Sequence, residues 1–105
     1  MKVLITATAP VLSAKVDERF GRAAYFIVAY TDKDGFEAIE NENVNAATGA
    51  GIAAAQKVAE LNPDIVLTGN CGPKAEQILT AAKIKIRTGI SGTVEDAIKS
   101  AKEKL

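Results

Sequence analysis

The hydrophobic pattern of this chain changes period half-way along, and that change limits the folds open to it. Up to Glu42 the apolar residues come in short β-branched and aromatic runs; from Gly49 on, helical spacing alternates with brief apolar runs. Lys2 to Thr8 reads as a first strand, stopped by Pro10. Tyr25 to Thr31 reads as a second, and Phe36 to Glu42 as a third that returns through a hairpin turn at Asp32–Gly35, where Gly35 supplies positive φ. The third alternates imperfectly, Phe36, Ala38 and Ile39 against Glu37, Glu40 and Glu42, as an edge strand does.

Beyond the change, Gly49-Ala50-Gly51 opens an alanine-rich helix through about Leu61, with Ile52, Ala55, Val58, Ala59 and Leu61 expected inward and Asn62-Pro63 ending it. Asp64 to Thr68 is a buried type of strand. Pro73 to about Ala82 is a second helix that turns Ala75, Ile78, Leu79 and Ala82 inward, and Ile84 to Thr88 is a fifth strand. Thr93 caps a last helix. Glu95 and Asp96 stand in its first turns and Lys99, Lys102 and Lys104 toward its end, which suits the helix dipole.

A hairpin followed by βα units predicts an α/β fold: a mixed five-stranded sheet flanked by three helices, in one domain over residues 1–105. A right-handed crossover from strand three to strand four gives the order 3-2-1-4-5, with only strand two antiparallel to the rest. The carboxyl ends of the other four strands then share one edge. Onto it fall Thr8 to Arg22, Asn45 to Gly51, Gly69 to Lys74 and Gly89 to Thr93, so every glycine-rich turn except Gly35 lies there. Open α/β sheets bind ligands at such an edge.

Composition removes several functions. Thirteen basic and thirteen acidic side chains cancel, so no net field draws nucleic acid or an anionic membrane. Histidine is absent, which takes away the usual neutral-pH base and the commonest nitrogen ligand for metals. A single cysteine forms no internal disulfide, and a reducing cytoplasm is the expected compartment. No apolar stretch approaches the ~20 residues of a membrane span. The opening Met1 to Leu12 is broken by Thr6, Thr8 and Pro10 and alternates like a strand, unlike a signal peptide.

The chemistry concentrates in Leu67-Thr68-Gly69-Asn70-Cys71-Gly72-Pro73-Lys74, a strand that ends in a glycine turn and opens into a helix. Its backbone N–H groups point into the turn, and the positive helix end is expected to favour Cys71 as thiolate. Cys71 could be a ligand, a nucleophile or a small buried hydrophobe. A phosphatase-type loop wants an arginine where Pro73 to Gln77 stand, and a cysteine-protease pair wants a histidine, so nucleophilic catalysis fits poorly. Structural zinc wants four strong ligands. Two-metal nuclease chemistry needs converging carboxylates, whereas the first strand has none and Asp64 enters its strand at the far end. A preassembled sulfide cluster asks for less: cations, N–H donors and one thiolate, which Arg19, Arg22, Lys74, Cys71 and the glycine turns could offer. In the long loop before strand two, Phe20 reads as an anchor and its charges as either solvated or functional. Gly49-Ala50-Gly51 suits a phosphate cradle or close helix packing equally well, and Thr88 to Thr93 reads mainly as turn and cap.

Val16 to Phe26, Gly49 to Gly51 and Leu67 to Ala75 together resemble the dinitrogenase iron–molybdenum cofactor biosynthesis family, over essentially the whole chain. The resemblance implies a ribonuclease H-like fold without nuclease activity. It also implies non-enzymatic binding or carriage of an iron- or molybdenum-containing sulfide cluster or its precursor, with a cluster-donor or acceptor protein as partner. Carried over to this chain, Cys71 would touch metal, while Arg19, Arg22, Gly49, Gly51, Gly69, Asn70, Gly72 and Lys74 would line the cluster or anion. Cofactor-carrying members with histidine ligands differ here, since this chain has none. Two other readings stay open: a small-anion or phosphometabolite site on the same amides, and a protein-interaction module without ligand.

Overall fold

A computed structural model describes residues 1–45 and 48–104, and of Lys104 the backbone alone. Within these residues the chain runs β1 (Lys2–Ala7), β2 (Tyr25–Tyr30), β3 (Phe36–Glu40), α1 (Ala50–Leu61), β4 (Ile65–Leu67), α2 (Pro73–Ala81), β5 (Lys85–Arg87) and α3 (Val94–Lys104). The sheet order is β3-β2-β1-β4-β5. β2 is antiparallel to both its neighbours, and β1, β4 and β5 are parallel. The hairpin-then-βα pattern thus leads to the expected topology, and the carboxyl ends of β1, β3, β4 and β5 share one edge.

Both faces of the sheet are covered. α3 packs Val94, Ala97 and Ala101 against Val3, Ile5, Ile27 and Leu67. On the other face α1 and α2 bring Ala54, Ala55, Val58, Ala75 and Leu79 onto Leu4, Phe26, Val28 and Val66. Being buried on both sides, β1 and β4 read as near-continuous apolar runs rather than alternating ones.

Four local details refine the sequence reading. β3 ends at Glu40, two residues early, because the Asn41 side chain bends the chain. Its Nδ2 donates to the Gly21 and Ala23 carbonyls, and its Oδ1 accepts from the Asn43 N–H. α1 buries Ala50, Ala54, Ala55 and Val58, while Ile52 is only partly covered. An alanine-rich helix carries little apolar asymmetry, so its orientation follows from the close seat of Gly51 rather than from Ile52. Asn62, in the left-handed region at φ 52°, ends α1. Finally, Thr93 Oγ1 accepts the Asp96 N–H at 3.1 Å, the expected cap of α3. Of the expected edge segments, Ala46 and Ala47 lie outside the described residues, as does the Lys104 side chain.

Candidate functional site

The loop after β1 is drawn over the carboxyl edge by a buried polar knot. The Asp17 N–H donates to the Thr6 carbonyl at 2.9 Å, and the Thr6 hydroxyl donates to the Asp17 carbonyl at 2.9 Å. The Thr68 hydroxyl stands 2.7 Å from that of Thr6, so the ends of β1 and β4 and the loop share one set of hydrogen bonds. Asp17 is itself buried, and its Oδ1 accepts the Arg19 N–H at 3.0 Å. Phe20 follows, 2% exposed, with its ring 6.0 Å from that of Phe26. The sequence expectation of an anchor holds.

From there the loop runs between two glycine turns with no room to spare. Arg19 bridges Asn70, and the Phe20 N–H donates to the Asn70 carbonyl at 3.0 Å. A Cβ built on Gly69 would lie 2.6 Å from Glu18 Cα, and one on Gly21 would lie 2.6 Å from Gly51 Cα. Glycine is required at both positions because backbone meets backbone. The turn after β5 closes the far side, its Gly89 N–H donating to the Gly69 carbonyl at 2.9 Å and its Gly92 carbonyl accepting the Val16 N–H at 2.9 Å. The four segments expected at this edge therefore meet. Between three of them opens a cleft of about 450 Å³ lined by Lys15, Glu18, Gly69, Asn70 and the Gly89–Gly92 turn, which Gly49 and Gly51 do not line.

Comparison with known proteins decides the family. Residues 1–104 match the family described as "Dinitrogenase iron-molybdenum cofactor". This chain belongs to that family. The apo form of the orange protein from Desulfovibrio gigas is similar at 38% identity and a TM-score of 0.92, over 97% of this chain and 87% of that one. A putative NifB protein from Thermotoga, assigned to the DUF35 family, is similar at 32% identity and a TM-score of 0.83, over 98% of this chain and 88% of that one. No curated protein matches. The topology shared with these relatives is ribonuclease H-like, as the sequence resemblance implied.

In this dinitrogenase iron-molybdenum cofactor family member the residues singled out from sequence occupy distinct positions. Gly69 and Asn70 line the cleft. Arg19 is exposed at its margin, with Nε 3.6 Å from Asp17 Oδ1. Arg22 donates to the Val44 carbonyl at 3.1 Å, bracing the turn after β3. Gly49 takes φ 74° as the cap of α1, and Gly51 is the spacer against Gly21. Gly72 caps α2 in extended backbone that does not require glycine, and Lys74 is exposed on the first turn of α2.

Cys71 corrects one expectation. The thiol is not drawn toward thiolate by α2. It stands before the Gly72 cap, packs half-buried against the core beneath α1 and α2, and donates to the Gly72 carbonyl at 3.7 Å. Burial pushes the thiol above its ordinary value, and the Glu76 carboxylate raises it further. At neutral pH it is protonated, so alkylation by iodoacetamide should be slow and should accelerate only above the pH range of a free cysteine. Glu76→Gln should move that profile to lower pH, since one negative charge is removed. A profile unchanged by Glu76→Gln would contradict this account.

Sequence reasoning left Lys15 and Glu18 among the loop charges without assigning them to a site, and read the Gly89–Gly92 turn with Ser91 as mainly structural. A signal was present. Gly89 and Gly92 take φ 74° and 86°, and two glycines so close at the predicted edge mark a tight turn in left-handed backbone.

Proposed function

We propose that this chain binds and carries a preassembled metal–sulfur cluster or its precursor, containing iron or molybdenum, at the carboxyl edge of its sheet without catalysing a reaction. The observation that carries this reading is the cleft itself: glycine turns meet there around Lys15, with Cys71 adjacent to Asn70 in sequence. Such a lining suits an anion that brings its own sulfides, because Lys15 and the turn backbone offset charge without a fixed coordination geometry, with Glu18 the one opposing charge in the lining. Among the described residues no three carboxylate or thiol groups gather as a cage, which favours a finished cluster over assembly from free ions. Arg19 and Lys74 would add positive charge at the rim. Cys71 packs outside the cleft lining, on the α1–α2 side, and would supply one thiolate by turning toward the cargo, its proton displaced by metal. Family membership supports the same class of cargo.

Reconstitution with iron, molybdate and sulfide, followed by desalting and metal analysis, tests this directly. The wild-type chain should retain metal and Cys71→Ala should retain less, the remainder being held by the amide cradle. Equal and negligible metal in both would sink the reading. The same amide lining also suits a small oxyanion. Thermal shift with phosphate or nucleotides distinguishes that second reading, since a ligand at 100 times its Kd adds about 2.7 kcal/mol.

A further inference from the structure

The two open edges of the sheet carry opposite charge. β3 and β5 are the outer strands. β3 exposes Glu37 and Glu40, with Glu42 exposed just beyond, whereas β5 exposes Lys85 and Arg87, with Lys83 exposed just before. The net charge of the chain is zero, so this is a separation of charge rather than an excess. An outer strand with free backbone groups is a template for another strand, and its side chains decide which.

We propose that β5 of one copy pairs with β3 of a second copy, extending the sheet head to tail. The faces match. Ala38 packs toward α3 and Ile39 toward α1 and α2, so Phe36 and Glu40 stand on the α3 side of β3. Ile86 packs toward α1 and α2, which puts Lys85 and Arg87 on the α3 side of β5. β3 and β5 run in the same direction, so a second copy placed beside the first with its carboxyl ends level sets Glu40 next to Arg87. Phe36, 41% exposed, would be covered in the same step. Along β5 and beside α2, a groove of about 550 Å³ runs past Lys83, Ile84, Lys85, Ile86 and Arg87, with Glu76 also on its wall. It leaves space for the incoming strand's Glu37 beside Lys83.

Like pairings are disfavoured. Two β3 edges would set glutamates against glutamates, and two β5 edges would set cations together, each destabilising directly opposite. The β5–β3 contact is heterologous and joined by translation, so it stays open-ended and grows with concentration.

Sedimentation equilibrium of the full chain over a range of concentrations tests this. At about 0.1 M salt the apparent mass of the wild type should rise above 11.0 kDa with concentration. At about 1 M salt it should fall back, because the Debye length shrinks from about 10 Å to about 3 Å. Lys85→Glu with Arg87→Glu makes both edges acidic, and Glu37→Lys with Glu40→Lys makes both basic; each double variant should stay monomeric. An equimolar mixture of the two should associate again, since each then meets a complementary edge. Circular dichroism checks that both are folded, and Glu40→Lys alone replaces the second if it is not. A wild type that stays at 11.0 kDa throughout, variants that associate as the wild type does, or a mixture that stays monomeric would overturn the proposal.

Discussion

Phe20→Ala should be the most damaging single substitution at the site, costing about 3–5 kcal/mol of folding stability. The ring is 2% exposed and lies against Phe26, and it is the largest of the apolar side chains that the loop buries, beside Ala14, Val16 and Ala23. Removing it leaves a cavity beside Phe26, in the cluster that also holds Leu4, Ala54 and Val58, and the close-packed interior relaxes into that space only partly. A small domain has about 5–15 kcal/mol in total, so a large share would be lost. The urea midpoint should drop accordingly, while Phe20→Leu, which keeps most of the volume, should lose much less. A drop below about 1 kcal/mol for Phe20→Ala would mean that the loop is held by its hydrogen bonds and not by the ring.

Gly69→Ala should have the next largest effect and a different signature. Its new Cβ would meet Glu18 Cα at 2.6 Å and the Glu18 carbonyl oxygen at 2.9 Å. Neither neighbour is the free end of a side chain. The loop and the β4–α2 turn must move apart, at an overpacking cost of about 1–3 kcal/mol. The separation would strain the Phe20–Asn70 hydrogen bond and widen the cleft, so metal retention after reconstitution should fall further than stability alone predicts. Gly72→Ser is the matched control. Nothing lies within 4 Å of its Cβ, and serine is a favoured helix cap, so stability and metal retention should both be kept. Equal metal retention in Gly69→Ala and Gly72→Ser would separate the cleft from the cargo.

The strand order and the shared carboxyl edge were legible because they follow from periodicity and connection rules, which act on whole elements. β1 and β4 declared themselves through unbroken apolar runs, and Gly35, Asn62 and Thr93 through turn and cap chemistry. The interior of the site was less legible. Asp17 looks like a surface charge in a polar loop, yet it is buried by bonds to Thr6 and Arg19, which no local pattern announces. The reading of Cys71 followed the rule for helix ends, but one residue of displacement before the cap put the thiol against the core instead. The Gly89–Gly92 turn was placed on the right edge, but its part in the cleft depends on how the arginine-bearing loop crosses it. That crossing is set by backbone contacts at Gly21 and Gly69, where the decisive observation is what a side chain would strike.

The hydroxyl pair of Thr6 and Thr68 has a consequence for how the site behaves over time. Because those oxygens and the Asp17 backbone satisfy one another in the interior, the loop cannot swing out alone without stranding buried donors and acceptors. Its detachment would leave buried hydrogen-bonding groups unpaired at the ends of β1 and β4, in the centre of the sheet. The cleft is not a door fitted to a finished building but part of the frame, and its shape lasts only as long as the centre of the sheet does.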